Sequence, residues 1–227
     1  MTEHSAEAEN SKEQQADRSA VRLSRLYLDA VRAADAPGAF RIAAGALASG
    51  MTIPELYQRV IAPAMHEIGE LWAKGALTVA DEHLATALTH RVLAALRPPV
   101  WVGVGSERGS GVSKGRVMLA AVEGEQHVLG LRMAADVLED VGFETVYLGA
   151  DVPIGALLQA LDSLSPDLLA LSATMPELGS ELDQVAAAVR RTHPRLGLLI
   201  GGQAASPRVL GGTLVRDLEV LPAAVPG

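Results

Sequence analysis

Arg116-Val117-Met118-Leu119-Ala120-Ala121-Val122-Glu123-Gly124-Glu125-Gln126-His127-Val128-Leu129-Gly130 is the stretch that decides the fold. Residues 116–122 are the first strongly strand-like run in the chain. A short polar loop follows, carrying an imidazole, and a glycine-tolerant helix comes next. In an open α/β sheet the ligand sits where a strand ends and its loop turns into a helix. His127 is therefore a candidate ligand-binding residue. Glu125, two positions back, is placed to accept a hydrogen bond from the far ring nitrogen, which would fix the tautomer and raise the basicity of the other nitrogen. An isolated histidine near a helix start is more often a surface residue, so His127 needs support from the rest of the chain.

Downstream, strand candidates at 144–148, 167–172, 196–200 and 218–221 alternate with helix candidates at 127–141, 153–164, 177–192 and 206–215. Strict alternation implies a right-handed, doubly wound parallel sheet. Upstream the period is helical. Val21, Leu23, Leu26, Leu28 and Val31 mark one apolar face, and Pro37-Gly38 ends that segment. A short helix over 39–48 is stopped by Ser49-Gly50. Thr52-Ile53-Pro54-Glu55 and Thr78-Val79-Ala80-Asp81 have the form of capping boxes that open two longer helices, ending near Ala73 and Leu96. Four helices joined by short turns make a bundle. The expected organisation is a polar, disordered tail over 1–17, a helical bundle over 18–98, a glycine-rich linker over 99–115 and the α/β domain over 116–227.

Composition narrows the function. Of 227 residues, 49% are hydrophobic but only 3% aromatic, so Leu, Val and Ala must fill the cores. A net charge of −8 without a Lys/Arg cluster argues against direct nucleic-acid binding, which depends on phosphate neutralisation. The absence of cysteine removes disulfides, thiolate metal sites and cysteine nucleophiles. With no apolar signal region and no apolar run of about 18 residues, a soluble cytoplasmic protein is expected, away from the membrane.

Two further elements join the His127 loop in order at strand ends. Glu125-x-His127-x-x-Gly130 is followed by Ser172 in Leu171-Ser172-Ala173-Thr174 and then by Gly201-Gly202. This series resembles the cobalamin-binding domain of the methionine synthase and methylmalonyl-CoA mutase type, a Rossmann-like, flavodoxin-like fold whose pattern is Asp-x-His-x-x-Gly, Ser-x-Leu and Gly-Gly. The departures are Glu125 for Asp and Thr174 for Leu. The resemblance implies that His127 is the lower cobalt ligand, displacing the cofactor's own base. It also implies that Glu125, Gln126, Gly130, Ser172, Thr174, Gly201 and Gly202 line the cofactor site, the glycines letting a bulky ligand approach the backbone.

Trp72 lies ten positions before Glu82-His83, at the end of one bundle helix and the start of the next. Trp-x9-Glu-His in a bundle ahead of a cobalamin domain resembles the cobalamin-dependent photoreceptors, best known as light-dependent transcriptional repressors. The resemblance implies a bundle that caps adenosylcobalamin, with Trp72 against the adenosyl group, Glu82 bonded to it, and His83 as upper cobalt ligand once light has broken the cobalt–carbon bond. The repressors carry an N-terminal DNA-binding domain of the MerR type, for which this sequence has a short polar tail. Output is then expected through a homo-oligomer that changes state in light and through a downstream protein partner. His66 is assigned to packing, and His90 shares a helix face with His83. Tyr27, Tyr57 and Arg59 are open candidates for a second chromophore, because some such proteins, the photocobilins, add a bilin such as biliverdin. A corrinoid methyl-carrier of a methyltransferase system is the alternative, although Trp72 and His83 would obstruct the open upper face it needs. A cobalamin store without light response is a third reading. Apart from the cobalt ligands no nucleophile and base come together, so no catalysis by the chain alone is expected.

Overall fold

The computed structural model describes residues 3–97, 113–206 and 211–225, with side chains from Gln14 onward. The chain divides into two compact units, Met1–Val102 and Gly103–Gly227.

The first unit is helical. Helix α1 (Glu3–Arg32) is followed by α2 (Ala36–Ala48), α3 (Ile53–Leu56), a π-helical turn (Tyr57–Ile61), α4 (Ala62–Ala73) and α5 (Val79–Leu96). Segments α3, π turn and α4 run on without a break, so four rods pack together. Their core is formed by Tyr27, Leu28 and Val31 of α1, Leu56, Tyr57, Val60 and Ile61 around the π turn, Ile68 of α4, and Leu88, Val92 and Leu93 of α5. Helix α2 buries Ala39, Ala43 and Ala46, small residues at helical spacing that let the rods approach closely. Both capping boxes form. Thr52 accepts from the Glu55 N–H, and Glu55 accepts from the Thr52 N–H at 2.8 Å. Asp81 closes the second box on Thr78 in the same way.

Three local expectations need correction. Helix α1 begins at Glu3 and so includes the segment read as a tail. The Ala, Glu, Gln and Lys residues there are good helix formers even without an apolar face, and residues 14–19 are exposed. The buried face of α1 is Ala20, Ser24, Tyr27, Leu28 and Val31, while Val21 and Leu26 are exposed. Finally, Pro37-Gly38 lies inside the first turn of α2, where proline is tolerated, with Asp35 capping the Gly38 N–H at 2.9 Å. Most of the segment read as a linker falls at residues 98–112, outside the described residues.

The second unit is α/β. Its elements are β1 (Arg116–Val122), α6 (Leu129–Asp140), β2 (Glu144–Val152), α7 (Ile154–Leu164), β3 (Leu168–Ser172), a 3-10 turn (Pro176–Leu178), α8 (Gly179–Thr192), β4 (Gly197–Gly201), β5 (Thr213–Leu214) and α9 (Leu221–Ala224). Among the described residues five strands form one all-parallel sheet in the order β2-β1-β3-β4-β5. Central strands β1 and β3 are buried along nearly their whole length, as expected for a sheet covered on both faces. Met118, Val122, Leu169 and Leu171 pack with Leu157, Leu161, Leu182 and Val189 on one side.

The C-terminal part departs from the sequence pattern. The helix expected over 206–215 is replaced, at its described residues 211–215, by a turn and β5, and the strand expected over 218–221 gives way to α9. Gly211 has φ +75°, which ends helical continuation, and a side chain on Gly212 would strike Ile200. Both glycines serve close packing of the last strand.

In this strand order the chain leaves β1 toward β2 on one side and returns to β3 on the other. The loops after β1 and β3 therefore diverge and leave a crevice at the carboxyl edge between them.

Candidate functional site

That crevice is where the sequence pattern falls. Gly124, at φ +84°, starts the loop after β1, and its N–H donates to Asp151 Oδ1 at 2.7 Å. Glu125 follows with its backbone fixed at both ends. Its N–H donates to the Val122 carbonyl and its carbonyl accepts from the Asp151 N–H, each at 3.0 Å.

The Glu125 side chain turns inward and is fully buried. Oε1 accepts from the His127 N–H and from His127 Nδ1, both at 2.7 Å. Oε2 accepts from the N–H groups of Thr174 at 2.6 Å and Met175 at 3.1 Å. Burial pushes the carboxyl pKa up, but the Thr174, His127 and Met175 amides and the imidazole outweigh it and hold the group below the usual glutamate range. Glu125 is thus an anion. An ionised carboxylate only accepts, so His127 donates to it from Nδ1 and Nε2 is the ring nitrogen left for a ligand. The His127 side chain is 51% exposed.

These residues fit cobalamin. Among the described residues no cluster of three or more His, Asp or Glu is placed to enclose a metal ion. A single basic imidazole, oriented by a buried carboxylate, suits a metal that arrives with its own equatorial ligands. Gly130, in the first turn of α6, is exposed and has open space where a Cβ would stand, so a large ligand can come close there.

The other glycines have a different reason. A Cβ on Gly202, at φ +90°, would lie 2.1 Å from the Ala173 carbonyl oxygen. Gly201 accepts from the Ala173 N–H at 3.2 Å, and Ala204 donates to the Ala173 carbonyl at 3.0 Å. Gly201-Gly202 therefore lets the loops after β3 and β4 close on one another. Ser172 is buried at the end of β3, paired with Ala121 and Gly201. Gln126 is exposed beside His127.

In the helical unit, Trp72 sits in the last turn of α4, 44% exposed, and Val79 and Leu84 at the start of α5 are half exposed. His83 Nδ1 meets Glu82 Oε2 at 2.6 Å, and Glu82 Oε1 accepts from the Thr86 hydroxyl at 2.8 Å. The glutamate assigned to a ligand is thus engaged on both oxygens, one of them directing His83. The sequence pattern did not single out Thr86, Val79 or Leu84, although Thr86 stands four residues from Glu82, the spacing of a helical pair.

Other candidates are placed elsewhere. His66 is exposed on the open face of α4 beside Glu70, so packing is not its role. Tyr27 and Tyr57 are fully enclosed in the helical core. The Tyr27 hydroxyl donates to Thr89 Oγ1 at 3.3 Å, and burial pushes its pKa up to about 12. Neither tyrosine lines an opening for a second chromophore. Arg59 pairs with Asp17 at 3.2 Å. His90 is half buried.

Comparison with known proteins agrees with this geometry. Two family models, each described as a B12 binding domain, match residues 23–97 and 115–213. The chain belongs to the B12-binding proteins and carries both of their domains. It is 32% identical to the HTH-type transcriptional repressor CarH of Myxococcus xanthus over 150 residues, 66% of this chain and 47% of the repressor. It is 29% identical to trimethylamine corrinoid protein 1 of Methanosarcina mazei over 147 residues, 65% of this chain and 66% of that protein. The chain thus spans about half the length of one relative and just under two thirds of the other. The monomethylamine corrinoid protein of Methanosarcina barkeri shares the fold, with a TM-score of 0.69 and 17% identity over 87% of this chain and 93% of that one. No helix among the described residues is long and apolar enough to cross a membrane.

Proposed function

We propose that this cobalamin-binding protein is a light sensor that uses adenosylcobalamin. One observation carries this beyond cobalamin binding. The helical unit holds a second carboxylate-directed imidazole, Glu82–His83 at the start of α5, and an exposed Trp72 in the last turn of α4. A carrier needs one axial histidine, whereas a sensor that traps its lit state needs two.

When bound, adenosylcobalamin supplies a cobalt–carbon bond that visible light breaks. His127 would hold the cobalt through Nε2, with Glu125 fixing the tautomer and ring orientation that present this nitrogen. Trp72 offers a flat apolar surface to the adenosyl group. Glu82 directs His83, which would supply a second nitrogen to the metal after illumination. Ligation by His83 stabilises one state over the other, as a switch requires. The signal leaves through a change in self-association and a protein partner.

The test is to load the protein with adenosylcobalamin in the dark and expose it to green light. A new visible spectrum and a shifted elution volume in size-exclusion chromatography are expected. If neither changes, the sensor assignment fails.

The similarity to corrinoid proteins favours a second reading, a methyl carrier. His83→Ala separates the two. The sensor loses its stable lit state, while a carrier turns over as before.

A further inference from the structure

Glu125 has two oxygens, and their partners lie on different loops. We propose that Glu125 is a clamp that makes the His127 loop and the Thr174–Met175 loop move together, and that this positioning requires glutamate rather than the aspartate of the related motif. It deepens the assignment of His127 as cobalt ligand and rests on it for its functional meaning.

Four N–H donors converge on one buried, planar carboxylate, two from each side of the crevice. The Glu125 backbone is held by Val122 and Asp151 and cannot advance toward either loop. Aspartate is one methylene shorter, about 1.5 Å less reach. From that fixed backbone it can serve only one side, leaving buried donors unpaired on the other. The far side does not end at Met175. Its carbonyl accepts from the Leu178 N–H at 2.9 Å, and this turn leads straight into α8. A carboxylate that turns with the imidazole on Oε1 must turn on Oε2 as well. The setting of His127 is thereby passed to the entrance of α8.

Amide hydrogen exchange on the full chain tests the clamp. In the cobalamin-free protein the amides of His127, Thr174 and Met175 should all be slow. Glu125→Asp should speed exchange on at least one of the two loops by about tenfold or more, the loss of a hydrogen bond to a charged group, with Leu169 and Leu171 unchanged. Met175→Pro removes a single donor at a residue whose φ of −73° a proline ring matches, and it should speed exchange at His127 on the opposite loop. No change at His127 in that variant, or none at either loop in Glu125→Asp, overturns the clamp. Loading with hydroxocobalamin should slow Thr174 in the natural protein and not in Glu125→Asp, and equal slowing in both overturns the coupling. A loaded His127→Ala protein with an unaltered visible spectrum would remove the ligand assignment, while the cobalamin-free exchange result would still stand.

Discussion

His127 meets Glu125 Oε1 twice, through its backbone N–H and through Nδ1, each at 2.7 Å. His127 is thus fixed in both main chain and ring by one buried atom. Glu125→Gln keeps the volume but sets an amide N–H₂ against N–H donors. It should cost about 1–3 kcal/mol of stability in urea unfolding. It should also weaken hydroxocobalamin binding by about 10–100-fold, the usual effect of losing the group that orients a metal-ligating histidine. Unchanged affinity would mean that the carboxylate does not orient the ligand.

Gly202 and Gly130 should respond in opposite ways to alanine. At Gly202 the new methyl meets the Ala173 backbone in a left-handed conformation, for a loss of about 2–4 kcal/mol in thermal or chemical unfolding. At Gly130 the space is open and the residue is helical, so the cobalamin-free protein should gain up to about 1 kcal/mol. Cobalamin affinity should nonetheless fall in Gly130→Ala if a large ligand uses the open space there, and unchanged affinity would show that it does not.

Tyr27 predicts a pH effect in alkali. Its native pKa, about 12, lies above the ordinary 10.0. Between those values the unfolded chain releases the proton while the folded chain keeps it, so the stabilisation is complete below pH 10 and is lost as pH rises toward 12. The loss amounts to about 2–3 kcal/mol. Tyr27→Phe has no hydroxyl to ionise, and its unfolding free energy should fall less between pH 9.5 and 11.5. Identical slopes for the two proteins would refute the assignment.

Glu82→Ala should leave dark binding of adenosylcobalamin intact and shorten the life of the illuminated species, because His83 is no longer directed through Nδ1. The decay of the post-illumination spectrum measures this, and an unchanged lifetime would count against the role of Glu82.

Much of this was legible because the signals were local. The bounds of β1 follow from one apolar run, and both capping boxes span four residues. The Glu125–His127 pair lies within one loop, so its spacing alone suggested the contact. The other half of the Glu125 site lies 49 and 50 residues away, at Thr174 and Met175. Only the pairing of β1 with β3 brings it near, and no local pattern encodes that register. The partners of Glu82, His83 and Thr86, were less visible, because the pattern placed a carboxylate near a site without saying which groups its oxygens meet. Gly202 looked like room for a ligand, yet its neighbour is the chain's own backbone. The C-terminal strand failed because β5 is only two residues long, too short for a period.

The π turn at Tyr57–Ile61 has an effect at the far end of its rod. Its wider i→i+5 pattern accommodates one residue more than an α turn, and each residue of a helix turns the axis by about 100°. Everything beyond it, including the indole eleven residues later, is phased by that single surplus position. Removing one residue from the turn would rewind the rod and swing Trp72 about a quarter of the way round, leaving the sequence near the tryptophan unaltered while it faced a different neighbourhood.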